Sequence, residues 1–383
     1  MRVHSTFHIS IAMAILFACL MFPFGVQADH LTLQIGGKTI ELDGEILIEA
    51  QDESLYFRDV DGKLWLVEAS QIKGKIDDDL EVVPATKKEI GQRLLQELPA
   101  GFRIFETKHY VIAYQNEVAF ARWIGGLYES RLYHAFDKFW SKNKFELNDP
   151  AYPLVAIVFG SRLQYQQYVD RELGPGQEMI AYYNIQSNRI AMFDLTGDQR
   201  NPNQGMNDRR IDQVLQNPAA IAMVATIIHE ATHQLMFNRG VQTRFAESPL
   251  WLNEGLAMYF EAPDLRSRRG WQTPGLIFQR RLLQFRHYLG SRPANSLATM
   301  IMSDERLRNQ ETVANGYSEA WAFNHFLMKR KAKEYVAYIT HMSKKKALRE
   351  DTPEVRLAEF QEFFEDDLIS LDKEFLAYVR RLK

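Results

Sequence analysis

In the segment Ala225-Thr226-Ile227-Ile228-His229-Glu230-Ala231-Thr232-His233-Gln234-Leu235, two histidines stand four residues apart and a glutamate directly follows the first. Four residues is close to one helical turn, so both imidazoles share a face and can aim nitrogen lone pairs at one divalent cation. Glu230 then lies one step round the helix, within reach of a water molecule whose proton it could accept. No proline interrupts residues 219–239, and residues 225–228 and 234–237 carry no charge. A helix with such flanks is mostly buried. Two histidines and a glutamate in apolar surroundings need hydrogen-bond partners or a metal.

Twenty residues separate His233 from Glu254, which lies in the apolar run Leu250-Trp251-Leu252-Asn253-Glu254-Gly255-Leu256-Ala257-Met258-Tyr259-Phe260-Glu261. Glu254 and Glu261 are seven apart and share a helix face. A carboxylate from this second helix added to two histidines leaves one position open, the ligand count of a catalytic rather than a structural zinc. Over residues 226–261 the sequence resembles the gluzincin clan of zinc metallopeptidases, whose glutamate ligand follows on a helix after the H-E-x-x-H helix. The stretch from Trp251 to Ala257, with Tyr259 and Glu261, looks like that of the aminopeptidase-N branch. The chain is also similar to a group of secreted bacterial peptidase-like domains.

The resemblance implies one Zn²⁺ per chain held by His229, His233 and Glu254, with Glu230 as general base. It implies Tyr317, on a later helix, as donor to a developing oxyanion, with Asn253 and Glu261 as neighbours that orient the ligands. It implies hydrolysis of peptide bonds in a peptide or protein substrate. The branch's amine-binding Gly-x-Met-Glu-Asn stretch has no counterpart: the nearest segment, Gly174-Pro175-Gly176-Gln177-Glu178-Met179, does not match. An activity other than aminopeptidase follows. The alternative is a catalytically silent protein of zincin fold that binds a partner or serves as a structural part of the cell envelope.

Composition agrees with this narrowing. The chain has 383 residues, 46% apolar and 25% charged, enough for one large core or two smaller ones. A net charge of −3 provides no footprint for nucleic acid. One cysteine among ten histidines excludes multi-cysteine metal sites and intrachain disulfides. The start of the chain reads as a secretory signal cleaved after Ala28, with an apolar run over residues 9–22 too short to span a bilayer. Losing Arg2, His4, His8 and Cys19 takes the net charge from −3 to −4 and leaves eight histidines and no cysteine. The protein is expected outside the cytoplasm, in a periplasm or beyond, with no stable membrane span. Lipid anchoring through Cys19 is the alternative.

The elements that must position the site read as an α+β chain. Residues 29–80 alternate short β-prone runs with turns, Asp43-Gly44 and Asp61-Gly62 being hairpin signals. Residues 81–97 read as a polar linker, which Asp77-Asp78-Asp79 introduces and which carries a helix at 87–98; residues 98–383 form the zincin-like domain. There, 102–105 and 110–114 suggest a hairpin, 118–140 a helix, 153–159 a buried strand and 162–173 a helix. Residues 179–185 and 189–193 form a second hairpin, whose arm 189–194 is expected to be the sheet edge that pairs with an extended peptide. Residues 196–212 are polar and read as a loop over the site. Helices follow at 214–239, 249–262, 276–290, 316–332, 333–343, 353–364 and 367–382. The other histidines, among them His109, His134, His287, His325 and His341, lack ligand spacing, and Lys344-Lys345-Lys346 reads as a solvated face.

Overall fold

The computed structural model describes residues 27–196, 218–264, 271–364 and 367–383. Residues 1–26, most of the expected signal sequence with Cys19, and residues 197–217, which include nearly all of the expected loop over the site, lie outside them. The described chain is mixed α/β: an all-β region, a mixed sheet, and a mostly helical C-terminal half. Among the described residues no helix is long and apolar enough to cross a membrane.

The first sheet contains β1 (Gln27–Ile35), β2 (Lys38–Glu49), β3 (Leu55–Asp59), β4 (Leu64–Val67) and β5 (Ile72–Glu81), in the antiparallel order β4-β3-β2-β1-β5. Alternation puts Leu31, Leu33, Leu42, Leu55, Phe57 and Val67 on one face, where they form a small core of their own. Two expectations are corrected here. Asp43-Gly44 is not a turn but the middle of β2, and the chain reverses at Gly36-Gly37 instead, both at positive φ. Gly44 serves a close approach: a Cβ there would collide with the Arg58 carbonyl on β3. Asp77 and Asp78 likewise belong to a strand, β5, whose backbone pairs with Asp29 and Ala28. Main-chain pairing does not require apolar side chains, so the acidic run hid the strand.

The second sheet has the order β6-β7-β8-β10-β9, from β6 (Arg103–Glu106), β7 (Tyr110–Tyr114), β8 (Leu154–Phe159), β9 (Ala181–Asn184) and β10 (Arg189–Phe193). β8 runs parallel to both β7 and β10, while the outer pairs are antiparallel. The edge facing the site is therefore β9, not residues 189–194. β10 is flanked on both sides, and Ile190 to Phe193 are buried as a central strand demands.

α1 (Lys87–Glu97) starts at a capping box between Thr86 and Glu89. The 118–140 helix is α2 (Val118–Gly125), a π-helical segment (Gly126–Tyr133) and α3 (His134–Lys142). α4 (Arg162–Leu173) precedes the β9–β10 hairpin. Then come α5 (Pro218–Asn238), α6 (Leu250–Phe260), α7 (Gln279–Tyr288), α8 (Ser296–Met302), α9 (Glu305–Arg308), α10 (Val313–Arg330), α11 (Ala332–Met342), α12 (Pro353–Gln361) and α13 (Leu368–Arg381). A single large core joins the mixed sheet to these helices. The short α8 and α9 are additions to the helices read from periodicity, being too short to show it. Lys345 is no solvated residue, since it pairs with Asp351 and, at 2.7 Å, Glu359.

One buried histidine ties the C-terminal helix to the body. On α10, His325 Nε2 donates to the Gly275 carbonyl at 3.2 Å, and Nδ1 accepts from the Tyr378 hydroxyl at 2.7 Å. Both bonds suit the neutral ring. Burial, reinforced by nearby Lys329, brings its pKa down to about 4 from 6.5. The neutral ring's stabilisation is thus complete above pH 6.5 and is lost as the pH falls towards 4. Denaturant titrations should show the wild type losing about 3 kcal/mol more than a His325→Gln variant between pH 7 and pH 4. Parallel pH profiles for the two would refute this.

Candidate metal centre

α5 carries His229, Glu230 and His233 on the side facing β9 and α6. Its other residues anchor it: Val224, Ile227, Ile228, Ala231, Leu235 and Met236 are fully buried. Each large aliphatic side chain so buried contributes about 1.5–3 kcal/mol, which offsets the cost of placing ionisable groups on the same helix. Gln234 fixes its height against the sheet by donating to the Val155 and Asn188 carbonyls at 3.1 and 2.8 Å.

α6 brings Glu254 to the same point. Its approach is set by Gly255, where a Cβ would collide with the Asn324 side chain of α10. Asn324 donates to the carbonyls of Trp251 and Ala320, both at 2.8 Å, and so ties α6 to α10. Tyr317 on α10 thereby lines the same cleft, close enough to Glu254 for the carboxylate to act on its phenol.

The ligand atoms converge. His229 Nε2 lies 3.2 Å from His233 Nε2 and 3.1 Å from Glu254 Oε2, while His233 Nε2 is 3.6 Å from Glu254 Oε1. Tetrahedral ligands about 2.1 Å from a common ion are separated by roughly 3.4 Å, so these spacings fit a metal. The protonation pattern points the same way. His229 Nδ1 faces Glu261 Oε2 at 3.2 Å and donates to it, which leaves a lone pair on Nε2. That lone pair then meets carboxylate and imidazole acceptors, an arrangement that needs a cation or a proton between them. Without a metal, protons do this work. Burial alone would lower the His229 pKa, but hydrogen bonds to Glu254 and Glu261 carry it up to about 10. Burial would raise Glu254, yet the two imidazoles hold it well below the usual carboxylate range. The His229, His233 and Glu254 group can therefore hold a metal ion.

Glu261 sits just past the end of α6, and Arg281 of α7 clamps it at 2.9 Å. Glu254 and Glu261 grip opposite nitrogens of the one His229 ring. Asn253 makes no hydrogen bond to the three ligand side chains among the described residues; it accepts from Ser248 Oγ at 2.6 Å and from Gln242, pinning the 239–249 connection to α6. Glu230 points to β9, where its Oε2 accepts the Tyr183 backbone N–H at 2.8 Å. Burial pushes its pKa up against the pull of the two histidines. A cleft of about 440 Å³ opens onto these groups. Arg281 and the Tyr183 N–H had no signal in the sequence, the first for want of a motif and the second because it is main chain.

Residues 223–349 match the profile of DUF1570, a protein family of unknown function. That stretch holds most of α5, all of α6 and the Tyr317 helix, and so every residue placed at the cleft except Tyr183. No curated protein matches the chain.

Proposed function

We propose that the protein is an exported zinc metallopeptidase, hydrolysing internal peptide bonds of the gluzincin type. The observation that carries the reading is the convergence of His229, His233 and Glu254 beside a separate, half-buried carboxylate, Glu230, that is not among the converging ligands. Two imidazoles and one carboxylate suit zinc better than calcium or magnesium, which take oxygen ligands. When bound, zinc would supply Lewis acidity that polarises a peptide carbonyl and acidifies a water molecule.

The protein's own groups do the rest. Glu230 has one oxygen fixed by Tyr183 and the other without a hydrogen-bond partner among the described residues, so that it can take the proton of the attacking water and pass it to the departing amine. Its raised pKa keeps the protonated form accessible for that second transfer. Tyr317 keeps its proton, because burial and the nearby carboxylates raise the phenol far above its ordinary value. It can donate to the oxygen on which negative charge develops. β9 offers an unpaired edge beside Glu230, along which an extended peptide can add as a further strand. Export rests on the signal-like first 28 residues.

Purified from the secreted or periplasmic fraction, the protein should contain about one zinc per chain and cleave an undirected peptide library. Chelation should abolish cleavage and zinc should restore it. Cleavage that survives complete metal removal would sink the reading.

A further inference from the structure

A second cavity, of about 700 Å³, lies where the β region meets the domain that carries the site. Leu47, Tyr56 and Arg58 of the β region form one wall, and Tyr152, Phe237 and Arg244 the other. The junction is hydrogen-bonded at the site hairpin itself, where Leu64 N–H donates to the Gln186 carbonyl between β9 and β10 at 2.8 Å. Phe237 is common to this cavity and the metal-site cleft. It stands one turn beyond His233 on α5 and stacks on Tyr183, ring centroids 5.8 Å apart.

Arg244 is the unusual member. Other buried or half-buried arginines have carboxylate partners: Arg281 has Glu261, Arg292 has Glu319, Arg356 has Asp304, and within this cavity Arg58 has Glu45. Among the described residues Arg244 pairs with none. Asp149 on the cavity wall makes no ion pair with it, and Lys346, exposed on the same rim, adds a second positive charge. Burial and the neighbouring Arg58 push the Arg244 pKa down, whereas carboxylates raise those of Arg281, Arg292 and Arg356. A partly buried guanidinium left this way is a site for an anion.

Its position relative to the reaction is defined by the edge strand. Arg244 Nη1 donates a long, 3.4 Å bond to the carbonyl of Ile185, the residue after β9. Glu230 holds the N–H of Tyr183, two residues earlier. Ile185 lies in the turn that follows β9 and is two residues from Tyr183, a Cα separation of at most about 7 Å, so the guanidinium meets the hairpin within about two residues of the Glu230 contact. Four of its five N–H donors are free of protein acceptors among the described residues, and a planar fork of that kind binds a carboxylate with two parallel bonds.

We infer that Arg244 and this cavity bind a carboxylate of the substrate two or three residues from the bond that is cut, which makes the β region part of the substrate site. The inference rests on the peptidase reading. It names acidic peptides as the substrate class, the carboxylate being either a side chain or the chain terminus. Apolar walls from Leu47, Tyr56 and Phe237 would enclose the methylenes that carry it.

The test measures binding by fluorescence anisotropy with the full chain carrying Glu230→Gln, which retains the cleft without turnover. Dye-labelled octapeptides are compared in pairs: Glu against Gln at each internal position in blocked peptides, and free acid against amide at the C-terminus of peptides without acidic residues. One pair should favour the carboxylate about ten- to hundredfold. Adding Arg244→Gln should abolish that preference, and Arg244→Lys should keep part of it. A single internal position identifies a side chain, and an acid–amide difference identifies the terminus. Equal affinities in every pair with Arg244 intact overturn the inference without any Arg244 variant having to fold, and so does a preference that survives Arg244→Gln. Wild-type turnover of the same peptides separates the two ideas. Turnover without a carboxylate preference removes only this inference; an Arg244-dependent preference without turnover removes the peptidase reading and, with it, the placement relative to a cut bond, leaving Arg244 as a carboxylate site.

Discussion

Glu230→Gln should lower peptide turnover by about 10²–10⁴-fold while the zinc content stays at the wild-type level. The substitution is close to isosteric, and a glutamine oxygen can still accept the Tyr183 N–H that fixes the side chain against β9. What disappears is the ability to take up a proton and return it. Glu230 is not among the three residues whose ligand atoms converge, so its loss leaves the metal set intact. Metal analysis by mass spectrometry alongside turnover on a peptide library checks both halves. Equal turnover by variant and wild type would remove Glu230 as the base and favour the reading of the protein as a silent binding module.

His233→Ala should produce the complementary result: zinc content falls from about one per chain to near zero, and turnover falls with it. Two of the three ligands, His229 and Glu254, remain, and His229 continues to be held by Glu254 and Glu261. Zinc binding also stabilises the fold by mass action, by about 4 kcal/mol when free zinc is a thousandfold above its Kd. Thermal melts of the wild type should rise by several degrees on adding zinc, and those of His233→Ala should not move. A variant that keeps both its zinc and its zinc-dependent rise would show that the ion sits elsewhere. The two substitutions together separate holding the metal from using it: one variant loses the ion, the other keeps it and loses the proton transfer.

Much of the site was legible before any fold was drawn, for a local reason. The i, i+4 spacing of His229 and His233 needs only a helix to become a chelate, and uncharged flanks already imply that the helix is buried. The second helix was visible too, because Glu254 and Glu261 share a face; the structure brings both onto the His229 ring from opposite sides. Seven of the helices in the C-terminal half follow from periodicity to within a few residues. Errors arose where a residue type serves two purposes. Asp43-Gly44 has the composition of a turn, yet Gly44 is there because the β3 backbone passes too close for a Cβ. The acidic run at residues 77–79 has the composition of a linker, yet its backbone forms a strand.

By itself, then, the amino-acid order determined the chemistry available: a pair of imidazoles on one helix face, a carboxylate beside them, and acidic groups on a second apolar helix. Helical periodicity is a short-range property, so spacing alone carries it. Only the tertiary structure decided which groups meet across long separations. It chose β9 rather than β10 as the edge, because strand order depends on which hydrogen-bonding sides remain unpaired after the sheet assembles. It set Arg281 against Glu261 and the Tyr183 N–H against Glu230. It also left Arg244 facing a cavity with no ion-pair partner among the described residues, a feature of packing between two regions that no local spacing encodes.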